Sequence, residues 1–80
     1  MTNLILTLSC PDALGIVAAV SQNLTQAEMN IVESHQYSDP DSGQFFMRVN
    51  VEATGDMGMD GFQKSFETVA ETFNMAWQVY

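Results

Sequence analysis

Positive charge is nearly missing from this chain: Lys64 and Arg48 stand against ten acidic side chains, for a formal net charge of -8. A surface with that field repels phosphate backbones and anionic headgroups, so nucleic acid and membrane surfaces are excluded as partners. Cysteine is limited to Cys10. A single thiol makes no internal disulfide and fits a reducing compartment, where it reads as a small packing group at a strand end rather than a reactive centre. Long apolar runs are also absent. Nothing approaches the ~20 residues of a membrane span, and the start MTNLILTLSC lacks the basic segment of a secretory leader, so a soluble cytoplasmic protein is expected. No linker, repeat or low-complexity stretch divides residues 1–80, which read as one domain. A core that small is marginal, and a homodimer is the expected remedy.

What is present is periodicity. Leu4, Leu6 and Leu8 alternate with Asn3, Ile5, Thr7 and Ser9, the pattern of a half-buried strand that Pro11 and Asp12 end. From Leu14 the period lengthens: Ile16, Val20 and Leu24 are spaced by four, with Val17 and Ala27 beside them. This predicts a helix whose wet side carries Gln22, Asn23 and Gln26. Residues 30–38 and 44–53 read as two strands of a hairpin around DPDSG, with Phe45, Met47, Val49 and Val51 on one face of the second. In the loop ATGDMGM, Met57 and Met59 read as covers for the edge of the core. Phe62, Phe66, Val69 and Phe73 then recur at i, i+4, i+7 and i+11, a second helix with Asp60 as its expected N-cap. MAWQVY closes the chain as a short strand. The order is βαββαβ, and right-handed crossovers turn it into a ferredoxin-like α+β domain: one antiparallel sheet with both helices on one face.

Most chemistries that this architecture hosts fail for want of residues. An RNA-binding version needs exposed aromatics in a basic field, and Phe46 stands alone beside Arg48. A copper carrier needs two thiolates. An acylphosphatase-like anion loop needs an arginine at the first strand-to-helix junction, whereas Arg48 lies in the third strand. His35 has Glu33 and Tyr37 for company but no nucleophile or second base, so it reads as a partly exposed strand histidine. Asp39 and Asp41 flank Pro40 in a turn that explains them without a metal. No metal and no cofactor is expected. The junction CPDALGIVAAVSQNL remains, because a tight turn into a helix aims unpaired backbone N–H groups at whatever sits above it.

SCPDALGIVAAVSQNL, followed by AEMNIVESHQYSDPDSGQFFMRVNVE, resembles the N-terminal ACT domain of bacterial formyltetrahydrofolate deformylases over nearly the whole chain. Its most specific part is NIVESHQYSDPDSGQFFMRV. One departure stands out: the usual Arg-Pro before the glycine is here Ala13-Leu14. The resemblance implies hydrolysis of 10-formyltetrahydrofolate to tetrahydrofolate and formate by a separate C-terminal formyltransferase-like domain. Residues 1–80 are therefore expected to be an inactive regulatory domain. ACT domains are also similar in forming dimers with a small amino acid at the interface, against the first strand-to-helix turn. Carried over residue by residue, the expected ligand site is Asp12, Leu14, Gly15, Ile16, Asn30 and Ile31. Gly15 lets the backbone approach, the N–H groups around it receive a carboxylate, and Asn30 adds an amide. Asp12 suits an ammonium group or, equally, caps the helix. Two classes stay open here: an effector-binding module, and a structural dimerisation module whose turn is only a turn.

Overall fold

Alternating leucines make the first strand, β1 (Thr2–Pro11), and Leu4, Leu6, Leu8 and Cys10 all point into the core. The computed structural model describes residues 2–55 and 58–80. After β1 come α1 (Ile16–Gln26), β2 (Met29–Asp39), β3 (Gln44–Ala53), α2 (Met59–Phe73) and β4 (Ala76–Val79). The sheet order is β2-β3-β1-β4, and every neighbouring pair is antiparallel. This is the expected ferredoxin-like arrangement. Its core lies between one sheet face and the helices: Phe45, Met47, Val49 and Val51 of β3 meet Ile16, Val20 and Leu24 of α1 and Phe62, Phe66 and Ala70 of α2. Phe66 is the hub, with ring centroids 5.6 Å from Phe62 and 4.8 Å from Trp77.

The two interior strands have a covered face, whereas β2 does not. Only Met29 of β2 is buried; the strand is exposed on both sides from Asn30 to Ser38, and its outer edge has no partner strand among the described residues. A register shift between Ile31 and Glu33 makes Val32 a bulge residue. Ile5 and Phe46 lie half-buried on the sheet face away from the helices, where Phe46 stacks on Tyr37 at 5.1 Å.

Several expectations need correction. α1 begins at Ile16, two residues later than the apolar period suggests, because Gly15 holds the N-cap position at φ +90°. Asp12 does not cap it. At α2 the cap is Gly58, and Asp60 falls inside the first turn, where its charge still favours the helix end. Asn23 is not on the wet side: it is 8% exposed, and its Nδ2 donates to Ser65 Oγ at 3.1 Å, joining α1 to α2. Val17 is 39% exposed, and Met59 starts a helix instead of covering the core. Met57 lies outside the described residues.

The corner between α1 and β2 holds a strained residue. Glu28 has φ +59°, while its carbonyl accepts the Thr54 N–H at 2.9 Å. A left-handed L-residue costs about 1–2 kcal/mol, partly offset in a glycine variant by lost chain entropy. Glu28→Gly is therefore expected to stabilise the domain by about 0.5–1 kcal/mol, read as a higher urea midpoint at unchanged slope.

Candidate functional site

The junction is built by tying its first residue to the hairpin. The Asp12 N–H donates to the Gly43 carbonyl at 2.9 Å, which fixes where the chain leaves the sheet. Leu14 and the left-handed Gly15 then make the turn, and the helix starts at once. No side chain caps α1, and its first turn contains no acid. The first turn closes with the Ala19 N–H on the Gly15 carbonyl at 3.0 Å, so the N–H groups of Ile16, Val17 and Ala18 precede the first helical bond. A β-carbon added at Gly15 would meet nothing within 4 Å. Space above an uncapped helix start is what a carboxylate needs.

Among the carried-over residues, Leu14 is completely exposed and Ile16 is 2% exposed. Ile16 thus brings only its N–H to the site. Asn30 and Ile31 are exposed but elsewhere. Asn30 is in register with Glu52, whereas Pro11 is in register with Gln44, so the two halves lie eight residues apart along β3, about 26 Å at strand rise. Within one chain they do not meet. The carried-over residues therefore fall into two groups in one chain, Asp12 to Ile16 and Asn30 to Ile31.

The remaining candidates lose their chemistry. Asp39 accepts the Asp41 N–H at 3.1 Å and the Ser42 hydroxyl at 2.9 Å, an Asx turn with its carboxylate already used. No group of three or more His, Cys, Asp or Glu among the described residues is arranged to hold a metal. His35 Nε2 is 3.4 Å from Glu33 Oε1, but both side chains are more than half exposed, so water screens the pair. Burial, with the Asp12 charge in second place, pushes the Cys10 thiol up, and at 1% exposure it stays a protonated packing group. A hollow of about 460 Å³ lies on the open sheet face between Thr7, Ser9, Phe46, Ala76 and Gln78, without a titratable side chain. No helix among the described residues is long and apolar enough to cross a membrane.

Val17, expected beside the apolar face of the first helix, and Val32, not singled out in the sequence, are both exposed. With Leu14 and Ile31 they are the exposed large apolar side chains of the α1 start and the β2 start. A signal was available: the adjacent pair Ile31-Val32 breaks strand alternation, which marks a bulge or a second contact surface.

Comparison with known proteins agrees with this architecture. No family model matches the chain. A formyltetrahydrofolate deformylase of Bacillus subtilis is 43% identical over 76 residues, which cover 92% of this chain and 25% of that protein. The crystal structure of a formyltetrahydrofolate deformylase from Burkholderia mallei superimposes with a TM-score of 0.93 at 38% identity, over all of this chain and 28% of that one. An ACT domain protein from Streptococcus pneumoniae has a TM-score of 0.82 over 98% of this chain and 86% of its own, and its 24% identity speaks for the fold alone. The chain has the ACT fold, matches the N-terminal region of these deformylases, and spans about a quarter of the length of the relatives it matches.

Proposed function

We propose that this chain is the regulatory ACT domain of a formyltetrahydrofolate deformylase, that it dimerises through the free edge of β2, and that it binds a small amino acid at the start of α1. The observation that carries the ligand reading is the uncapped helix start at Gly15, with open space above it and the wholly exposed Leu14 beside it. A helix end of this kind contributes only about 0.3–1 kcal/mol toward an exposed carboxylate, so enclosure must supply the rest.

A second copy supplies it. An edge strand of 11 residues, exposed on both faces and carrying Ile31 and Val32, is a pairing surface that soluble monomers avoid. Antiparallel pairing of two β2 strands about Ser34, their midpoint, sets the partner's Asn30 across from Ser38. Ser38 is in register with Phe45 and, through it, with Cys10, the level at which the junction begins. Thus the separation of the two half-sites within one chain supports a site shared between two, with Leu14 and Val17 at the same end of the joint sheet as the partner's Ile31 and Val32.

Val32→Lys tests the edge. Light scattering at about 20–50 µM protein, a range in which even modest dimers persist, is expected to give twice the 8.8 kDa chain mass for the parent chain. The variant should run as a folded monomer, since Val32 is 58% exposed and its loss leaves the core intact. A parent chain that is monomeric there would sink the shared site. Titration calorimetry with a panel of amino acids, methionine and glycine included, tests the ligand. If none binds at millimolar concentration, about 4 kcal/mol, the domain is a structural dimerisation module, the reading that Ala13-Leu14 in place of Arg-Pro favours.

A further inference from the structure

On the sheet face away from the helices, Tyr37, Phe46, Ser9 and Ala76 follow one another in register across β2, β3, β1 and β4. Two of them are large and two are small. Tyr37 and Phe46 stack, while Ser9 and Ala76 leave the hollow of about 460 Å³ beside Phe46. That volume is in the range of small-molecule sites. In the next row Arg48, Thr7 and Gln78 are neighbours, so the hollow has a hydroxyl and a carboxamide on that side and the chain's single arginine at its rim. Arg48 is exposed and has no ion-pair partner among the described residues, although the chain holds ten acids. Its neighbour on β2, His35, is the one beside Glu33.

We infer that this hollow is a binding site for a planar aromatic acid, whose ring lies over Ser9 and Ala76 against Phe46 and whose carboxylate meets Arg48 and Thr7. Arg48 is one strand across from Ser9, about 5 Å, and two residues along, about 7 Å, which makes about 8 Å on the diagonal. A guanidinium side chain and a carboxylate span that distance together. Phe46 offers its ring to offset stacking, and Tyr37 backs it from the β2 side. The carboxylate gains a charge-assisted hydrogen bond that no acid among the described residues already supplies. The net charge of -8 does not forbid this, because physiological salt screens charges beyond about 8 Å and no titratable side chain lines the hollow. Neither the start of α1 nor the edge of β2 takes part, so the site stands or falls apart from the amino-acid site.

The experiment is chemical-shift titration of the nitrogen-labelled chain with naphthoate, naphthamide and cyclohexanecarboxylate. Naphthoate is expected to bind with a Kd of about 1 mM, the level that suits so small a ligand in an open hollow, and to shift the backbone amides of Ser9, Phe46 and Gln78. The other two should each bind about fivefold more weakly, since one lacks the charge and the other the aromatic ring. Ala76→Leu fills the hollow and should abolish naphthoate binding, whereas Arg48→Gln should bring naphthoate down to the level of naphthamide. Both positions are exposed, so urea unfolding stays as in the parent chain. Naphthoate and naphthamide binding alike, or naphthoate keeping its affinity in Ala76→Leu, overturns the site. Shifts confined to Ile16–Ala18 put the ligand at the helix start, which overturns this site and leaves that one standing. No shift at about 10 mM, ten times the expected Kd, overturns it outright.

Discussion

Phe66→Ala is expected to leave the domain largely unfolded at room temperature. The side chain is fully buried, and its ring touches both Phe62 of the same helix and Trp77 of β4. Truncating a buried phenylalanine costs about 3–5 kcal/mol, from lost transfer energy and from the cavity left behind. A domain of this length holds only about 4–12 kcal/mol in total at the usual 0.05–0.15 kcal/mol per residue. The loss is therefore a large share of everything available. Phe73→Ala, on the same helix face but half-buried, should cost about half as much, since less area leaves water there. Trp77 is the single tryptophan and packs on Phe66, so its emission reports the transition directly in urea. A Phe66→Ala protein that unfolds within 1 kcal/mol of the parent would mean that the helix–sheet contact is not where stability resides.

The same residues explain why much of the fold was legible. Apolar spacing of 2 in Leu4, Leu6 and Leu8, and of 3.6 from Phe62 to Phe73, is imposed by burial of one face, and burial is what the structure shows at Leu4, Leu6, Leu8, Phe62 and Phe66. Helix starts were less legible. Asp12 and Asp60 have the right side chain for a cap, but the chain enters α1 through the left-handed Gly15 and α2 through the extended Gly58, which leaves Asp12 outside the first helix and Asp60 inside the second. Asn23 was misread for a different reason: its partner Ser65 is 42 residues away, and nothing local announces it. One side of that amide is satisfied while its Oδ1 has no partner, so it pins two helices together at some cost. For the site, similarity supplied Asp12–Ile16 and Asn30–Ile31 as one group. Only the strand register reveals that they occupy opposite ends of one sheet.

Gly15→Val is expected to cost both stability and ligand, and Gly15→Asn separates the two losses. At φ +90° a β-branched residue is forced into a region that L side chains rarely adopt, at about 2 kcal/mol. That penalty is conformational, because the added β-carbon meets nothing within 4 Å in the chain itself. Asparagine tolerates the left-handed region several-fold better than most residues, so its folding cost should be well under 1 kcal/mol. Either variant adds a β-substituent next to the first N–H groups of α1. A carboxylate held there must approach the backbone closely, and any β-substituent keeps it away. The expected outcome in titration calorimetry is loss of amino-acid binding by at least tenfold for both variants, with normal urea unfolding for Gly15→Asn alone. A Gly15→Asn protein that binds as well as the parent would show that the glycine serves the turn and that the ligand makes its contacts elsewhere. The gap between the two variants matters because Gly15→Val by itself confounds a damaged helix start with a blocked one.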